Sequence, residues 1–111
     1  MLFHEEEKTT TAVLEAYADS HPGALVRLEF AEGDVYKCRL DTAYESDNDL
    51  DVNDPDYDEY YELVYRVEEV VAPGPNCERA EYGICLNYRH FPVRVVAEDG
   101  TVIYRIPNER Q

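Results

Sequence analysis

Positive charge is what this sequence has least of. Ten Lys and Arg stand against 25 Asp and Glu, for a formal net charge of −15. Nucleic-acid affinity rests on Lys and Arg displacing counterions from phosphates, so direct nucleic-acid binding is not expected. No apolar run approaches the roughly 18–20 residues of a membrane span, and no membrane association is expected. The first residues are acidic rather than a basic, then apolar, leader, so no signal peptide is expected. Cys38, Cys77 and Cys85 form an odd set without C-x-x-C spacing, which fits reduced thiols in a cytoplasmic protein. Three scattered histidines, with neither H-E-x-x-H nor G-x-S-x-G, give no catalytic residues and no enzyme.

What is present is alternation. Leu25 to Phe30, a turn at Ala31-Glu-Gly-Asp34, and Val35 to Tyr44 read as an antiparallel hairpin with one buried face. Val26, Leu28 and Phe30 share a face on the first strand, and Tyr36, Cys38, Leu40 and Thr42 on the second. Tyr60 to Val71 is a further strand, with Tyr61, Leu63, Tyr65 and Val67 facing inward. Tyr82 to Tyr88, Val93 to Val96 and Thr101 to Ile106 complete the set, with a tight turn at Asp99-Gly100. Ahead of the hairpin, Val13, Ala16 and Tyr17 recur at helical spacing, and Pro22 ends that helix. A threonine would cap it, and Glu5 to Glu7 would favour its positive end. The expectation is one domain over 1–111: a flexible arm at 1–8, a helix at 9–21 and a β-unit at 24–106. The fold class is mainly β, an N-terminal helix followed by a small, strongly bent, five- to six-stranded antiparallel barrel.

The negative charge is concentrated. Residues 41–62 hold ten acids and no base, whereas residues 63–111 hold seven acids and six bases. Asp and Asn favour turns and Pro55 interrupts a strand ladder, so 45–59 is an acidic loop, although Leu50 and Val52 still alternate.

The segment Gly23 to Val52 resembles the first conserved segment of Sm-like (LSm) proteins. Val26-Arg-Leu-Glu-Phe30 and Gly33 match in register, as do Leu40 and Asn48. The resemblance implies an N-terminal helix capping a bent SH3-like barrel, often assembled in rings, with Asn48 in an RNA pocket. Tyr44 stands where that family has its aspartate, and Asp47 where it has a base-stacking residue. Ile84 to Arg89 also lacks the glycine of the second segment, so oligo-uridine binding is not expected. The tail Asn87-Tyr-Arg-His-Phe-Pro92 and the loop from Asn53 to Tyr61 are similar to small bacterial proteins that carry no assigned activity.

The acidic loop is the candidate site. Asp47, Asp49, Asp51 and Asp58 fall at positions 1, 3, 5 and 12 of an EF-hand-like spacing, which would suit calcium, the one cofactor considered; Val52 replaces the turn glycine. Asp54, Asp56 and Glu59, with Tyr57, Tyr60 and Tyr61 beside them, suit a contact surface, since tyrosine buries area while keeping a polar tip. Tyr36, Tyr65, Tyr82 and Tyr88 are assigned to the core, and His90 to packing at a bend. Cys77 would be reactive if exposed, but Glu78 beside it raises a thiol pKa. The leading expectation is a non-catalytic interaction module that meets a basic protein partner through this loop. The alternatives are a nucleic-acid-mimicking inhibitor, a calcium-binding domain and a divergent Sm-like RNA-binding protein. Edge strands would permit a homo-oligomer.

Overall fold

The structure, a computed structural model, describes residues 3–75 and 83–106. The expectations for Cys77 and Tyr82 fall outside the described residues. One helix, α1 (Thr11–Ser20), precedes six strands: β1 (Leu25–Glu29), β2 (Val35–Asp47), β3 (Glu59–Ala72), β4 (Ile84–Leu86), β5 (Arg94–Ala97) and β6 (Val102–Arg105). They form one antiparallel sheet in the order β4-β3-β2-β1-β5-β6. The mainly β class and the helix-first order are as expected. The sheet is not closed into the expected barrel: β4 and β6 are its two edges, and both are short.

The β1–β2 hairpin follows from its alternation. Val26 lies opposite Cys38 and Leu28 opposite Tyr36, and all four are buried with Phe30. Gly33 makes the turn possible, at a φ of +103° that side chains avoid. Leu63, Tyr65, Ile84, Leu86 and Val95 extend the same face, and Leu14 of α1 covers it. Each fully buried aliphatic side chain contributes about 1.5–3 kcal/mol. The helix stops at Ser20, where His21 N–H still bonds Tyr17 O at 2.9 Å before Pro22.

Thr42 does not join the inner face. A register shift between Leu40, opposite Tyr65, and Thr42, opposite Val64, inserts one extra residue at Asp41. Such a bulge exchanges the two faces of a strand. Ala43, opposite the buried Leu63, therefore takes the inward position and Thr42 is exposed.

The lengths of β2 and β3 position the candidate site. β2 has 13 residues, yet β1 pairs with it only from Val35 to Arg39. β3 has 14, and β4 pairs with it only from Leu63 to Tyr65. Beyond those partners, residues 41–47 and 59–62 run on as a two-stranded arm, with residues 48–58 as its tip. Leu50 and Val52 do not extend the sheet; they lie in the tip, and Val52 is 71% exposed.

Candidate functional site

The tip of the arm is folded by its own aspartates. Asp47 Oδ1 accepts the N–H of Asp49 at 2.8 Å, Asp51 Oδ1 that of Asn53 at 2.9 Å, and Asp54 Oδ1 that of Asp56 at 2.8 Å. Each is an Asx turn, in which a short side chain replaces the missing ladder bond. Asp49 itself adopts the left-handed conformation at φ +67°, which Asp tolerates better than most residues. Asn48 closes the tip: its Nδ2 donates to Asp56 O at 2.8 Å, and its Oδ1 accepts Asp58 N–H at 3.2 Å.

Where the tip rejoins β3, Asp58 is 9% exposed. His4 Nε2 stands 2.6 Å from Asp58 Oδ1 and 3.0 Å from Glu59 O. Both are acceptors, so Nε2 carries the proton. Tyr88 donates its hydroxyl to Asp58 Oδ2 at 2.6 Å and accepts Arg89 Nε–H at 3.0 Å. Arg89 Nε lies 3.5 Å from Asp58 Oδ2, and the His4 ring stacks on Tyr88 with centroids 4.1 Å apart. Burial alone raises the Asp58 carboxyl, but the bonds from Tyr88 and His4 and the charges of His4 and Arg89 outweigh it. The net effect is a carboxyl held below its ordinary value. Asn87 presents this pair by accepting the N–H groups of Arg89 and His90 at 2.9 and 3.0 Å.

Residues 3–8, expected as a flexible arm, form a clamp instead. Glu5–Lys8 is a 3-10 turn in which Glu7 is fully buried. Its Oε1 accepts the N–H groups of Phe3 and His4 at 2.7 and 3.0 Å, and its Oε2 accepts Tyr61 N–H at 2.7 Å. A buried carboxylate is stable only when its lone pairs are so filled. Glu7 thus ties the chain start to β3 rather than serving the dipole of α1. Thr10, at the N-cap of α1, gives its hydroxyl to Glu6 O at 2.8 Å and does not cap the helix.

The tyrosines chosen for contact are partly occupied. Tyr57 donates to Glu59 Oε2 at 2.7 Å, and that bond, with nearby acids, pushes its hydroxyl up to about 12. Tyr60 donates to Asp47 O at 3.0 Å. Tyr61 lies 3.5 Å from Glu45 Oε2 and packs on Phe3. Tyr36 and Tyr65 are core residues, whereas Tyr88 is half-buried and serves Asp58. His90 stacks on Phe30 at the bend, Cys38 is buried and Cys85 is on the exposed face of β4.

The four carboxylates with EF-hand spacing are not gathered. Asp47 and Asp51 serve separate Asx turns, and Asp58 faces His4 and Tyr88. Among the described residues, no group of three or more His, Cys, Asp or Glu could hold a metal ion. Charge neutralisation is confined elsewhere as well. Arg27–Glu29, Lys37–Glu69, Arg39–Glu68, Arg66–Glu68 and Arg94–Glu29 pair on the body of the sheet. Of the ten acids at 41–62, Asp58 alone is ion-paired among the described residues. His4, Glu7, Tyr88 and Arg89 were not singled out for this site by the sequence. Nothing local marks them, because His4 and Asp58 are 54 residues apart.

A family model described as cognate immunity protein YxxD matches residues 9–107. That family is not the Sm-like one that Gly23 to Val52 resembles. No curated protein matches the chain, and no solved structure does. Among the described residues no helix is long and apolar enough to cross a membrane.

Proposed function

The chain belongs to the cognate immunity protein YxxD family, and on that premise we propose that it neutralises its toxin by binding it through the acidic arm. Immunity proteins act on a cognate protein partner and are typically non-catalytic, which agrees with the absence of catalytic motifs. The observation that carries the reading is the uncompensated charge. Asp47, Asp49, Asp51, Asp54, Asp56 and Glu59 project from the arm without an ion-pair partner among the described residues, while Arg27, Lys37, Arg39, Arg66 and Arg94 are paired on the body of the sheet. Such a field selects a basic partner surface and accelerates encounter with it. The clamp on Glu7 and Asp58 supports the same reading, since a held arm loses less freedom on binding than a loose one.

The Asx turns supply a clean test. Asn keeps the side-chain oxygen that each turn requires and removes only the charge. The variant with Asp47, Asp49, Asp51, Asp54 and Asp56 all changed to Asn should fold normally and fail to protect cells that express the cognate toxin. Full protection by the folded variant would end this reading.

A further inference from the structure

The arm has two long edges, and the fold treats them differently. Antiparallel partners alternate between pairs that exchange both backbone hydrogen bonds and pairs whose groups point away from each other. Tyr61 gives its N–H to Glu7, and Glu59 receives His4 on its C=O, so both residues turn away from β2. Their register partners Glu45 and Asp47 must then turn away from β3, and so must Ala43, opposite Leu63. On the β3 side the clamp takes the Tyr61 N–H and the Glu59 C=O. On the β2 side no strand pairs beyond Arg39 among the described residues, and Asp41, Thr42, Tyr44, Glu45 and Asp47 are exposed.

From this asymmetry we infer that the edge of β2 from Ala43 to Asp47 is a docking rail for an extended, basic segment of the toxin, which adds to the sheet as a further strand. This inference rests on the function proposed above. The N–H groups of Ala43, Glu45 and Asp47 and the C=O groups of Ala43 and Glu45 face the incoming strand; the Asp47 C=O is held by Tyr60. At about 3.4 Å per residue the rail spans about 17 Å, enough for a strand of ordinary length. Strand addition draws its affinity from main-chain bonds and its selectivity from alternate side chains. Here Asp41, Glu45 and Asp47 border the rail, so lysine or arginine at alternate positions fits. A second copy of this chain does not fit, because each antiparallel pairing of the rail with itself sets acids among Asp41, Glu45 and Asp47 opposite one another, and like charges across a strand pair destabilise it.

The test uses the full-length protein with a short peptide of alternating lysine and valine, and a control of equal charge whose central valines are prolines. Amide exchange is followed residue by residue. The alternating peptide should slow exchange at Ala43, Glu45 and Asp47 by at least about tenfold, leave Thr42, Tyr44 and Ser46 unchanged because they already bond β3, and the proline control should not. Ala43→Pro and Glu45→Pro each remove an outward N–H that the hairpin does not use, and each should abolish that protection while the melting temperature stays near that of the wild type. Equal binding of both peptides without protection at those amides would overturn the rail and leave the charge-based function standing. No binding of either peptide at low salt would overturn both.

Discussion

The two halves of the β2–β3 hairpin obey different rules. From Val35 to Leu40 the strands carry a buried face, with Cys38 opposite Val67 and Leu40 opposite Tyr65, and an outer face on which Lys37 meets Glu69 and Arg39 meets Glu68. Beyond Ala43, which still packs on the core at Leu63, the inner face runs out, opposite charges are confined to Asp58, and other aspartate side chains bond backbone instead. The first half is held by exclusion of water, the second by polar groups that water can also serve. The contrast teaches where stability and function reside. Like charges on the arm contribute little or nothing to folding, which leaves them free for the partner contact proposed above.

Breaking the buried face should cost most. Leu63→Ala removes a fully buried side chain, and a loss of about 3 kcal/mol is expected from denaturant unfolding. At the junction, Glu7→Ala leaves three N–H groups without their acceptor, and about 2–3 kcal/mol is expected. Glu7→Gln keeps one accepting oxygen and should lose less. A cost near zero for Glu7→Ala would mean that the clamp is not formed in solution.

Asp58 sharpens the comparison through pH. Its folded carboxyl lies below its ordinary value, so its contribution is complete above the unfolded pKa of about 4 and is lost as pH falls through the folded value. Asp58→Asn should therefore lower stability at neutral pH by about 1–2 kcal/mol and flatten the acid limb of the stability curve. The smallest effect belongs to the tip. The five Asp→Asn changes should shift stability by no more than about 0.5 kcal/mol each, toward stabilisation as mutual repulsion is relieved at low salt.

Much of the body was legible in the sequence, because burial imposes a period there. Val26, Leu28 and Phe30 alternate inward as written, Ile84 and Leu86 do so on β4, and Pro22 stops the helix. The bulge at Asp41 was not legible: one inserted residue leaves Thr42 and Ala43 equally acceptable on either face. The open sheet was not legible either, since closure depends on how β4 and β6 meet rather than on any pattern within them. For the site, the acidity was plain but its first use was not. The Asp and Asn spacing at 47–56 reads equally as cation ligands or as successive Asx turns, and only the backbone path separates them. The clamp escaped notice because a glutamate in an acidic leader, Glu5-Glu6-Glu7, is indistinguishable from its solvated neighbours until Tyr61 is brought to it.

The most direct measurement is the rate at which the protein associates with its cognate toxin across a salt series, for the wild type and for the five-Asn variant. The wild-type rate should fall steeply as salt rises, and the variant should be slow and nearly insensitive to salt, both proteins being equally folded. Equal rates for the two at every salt concentration would contradict the claim that the acidic arm is what the toxin meets.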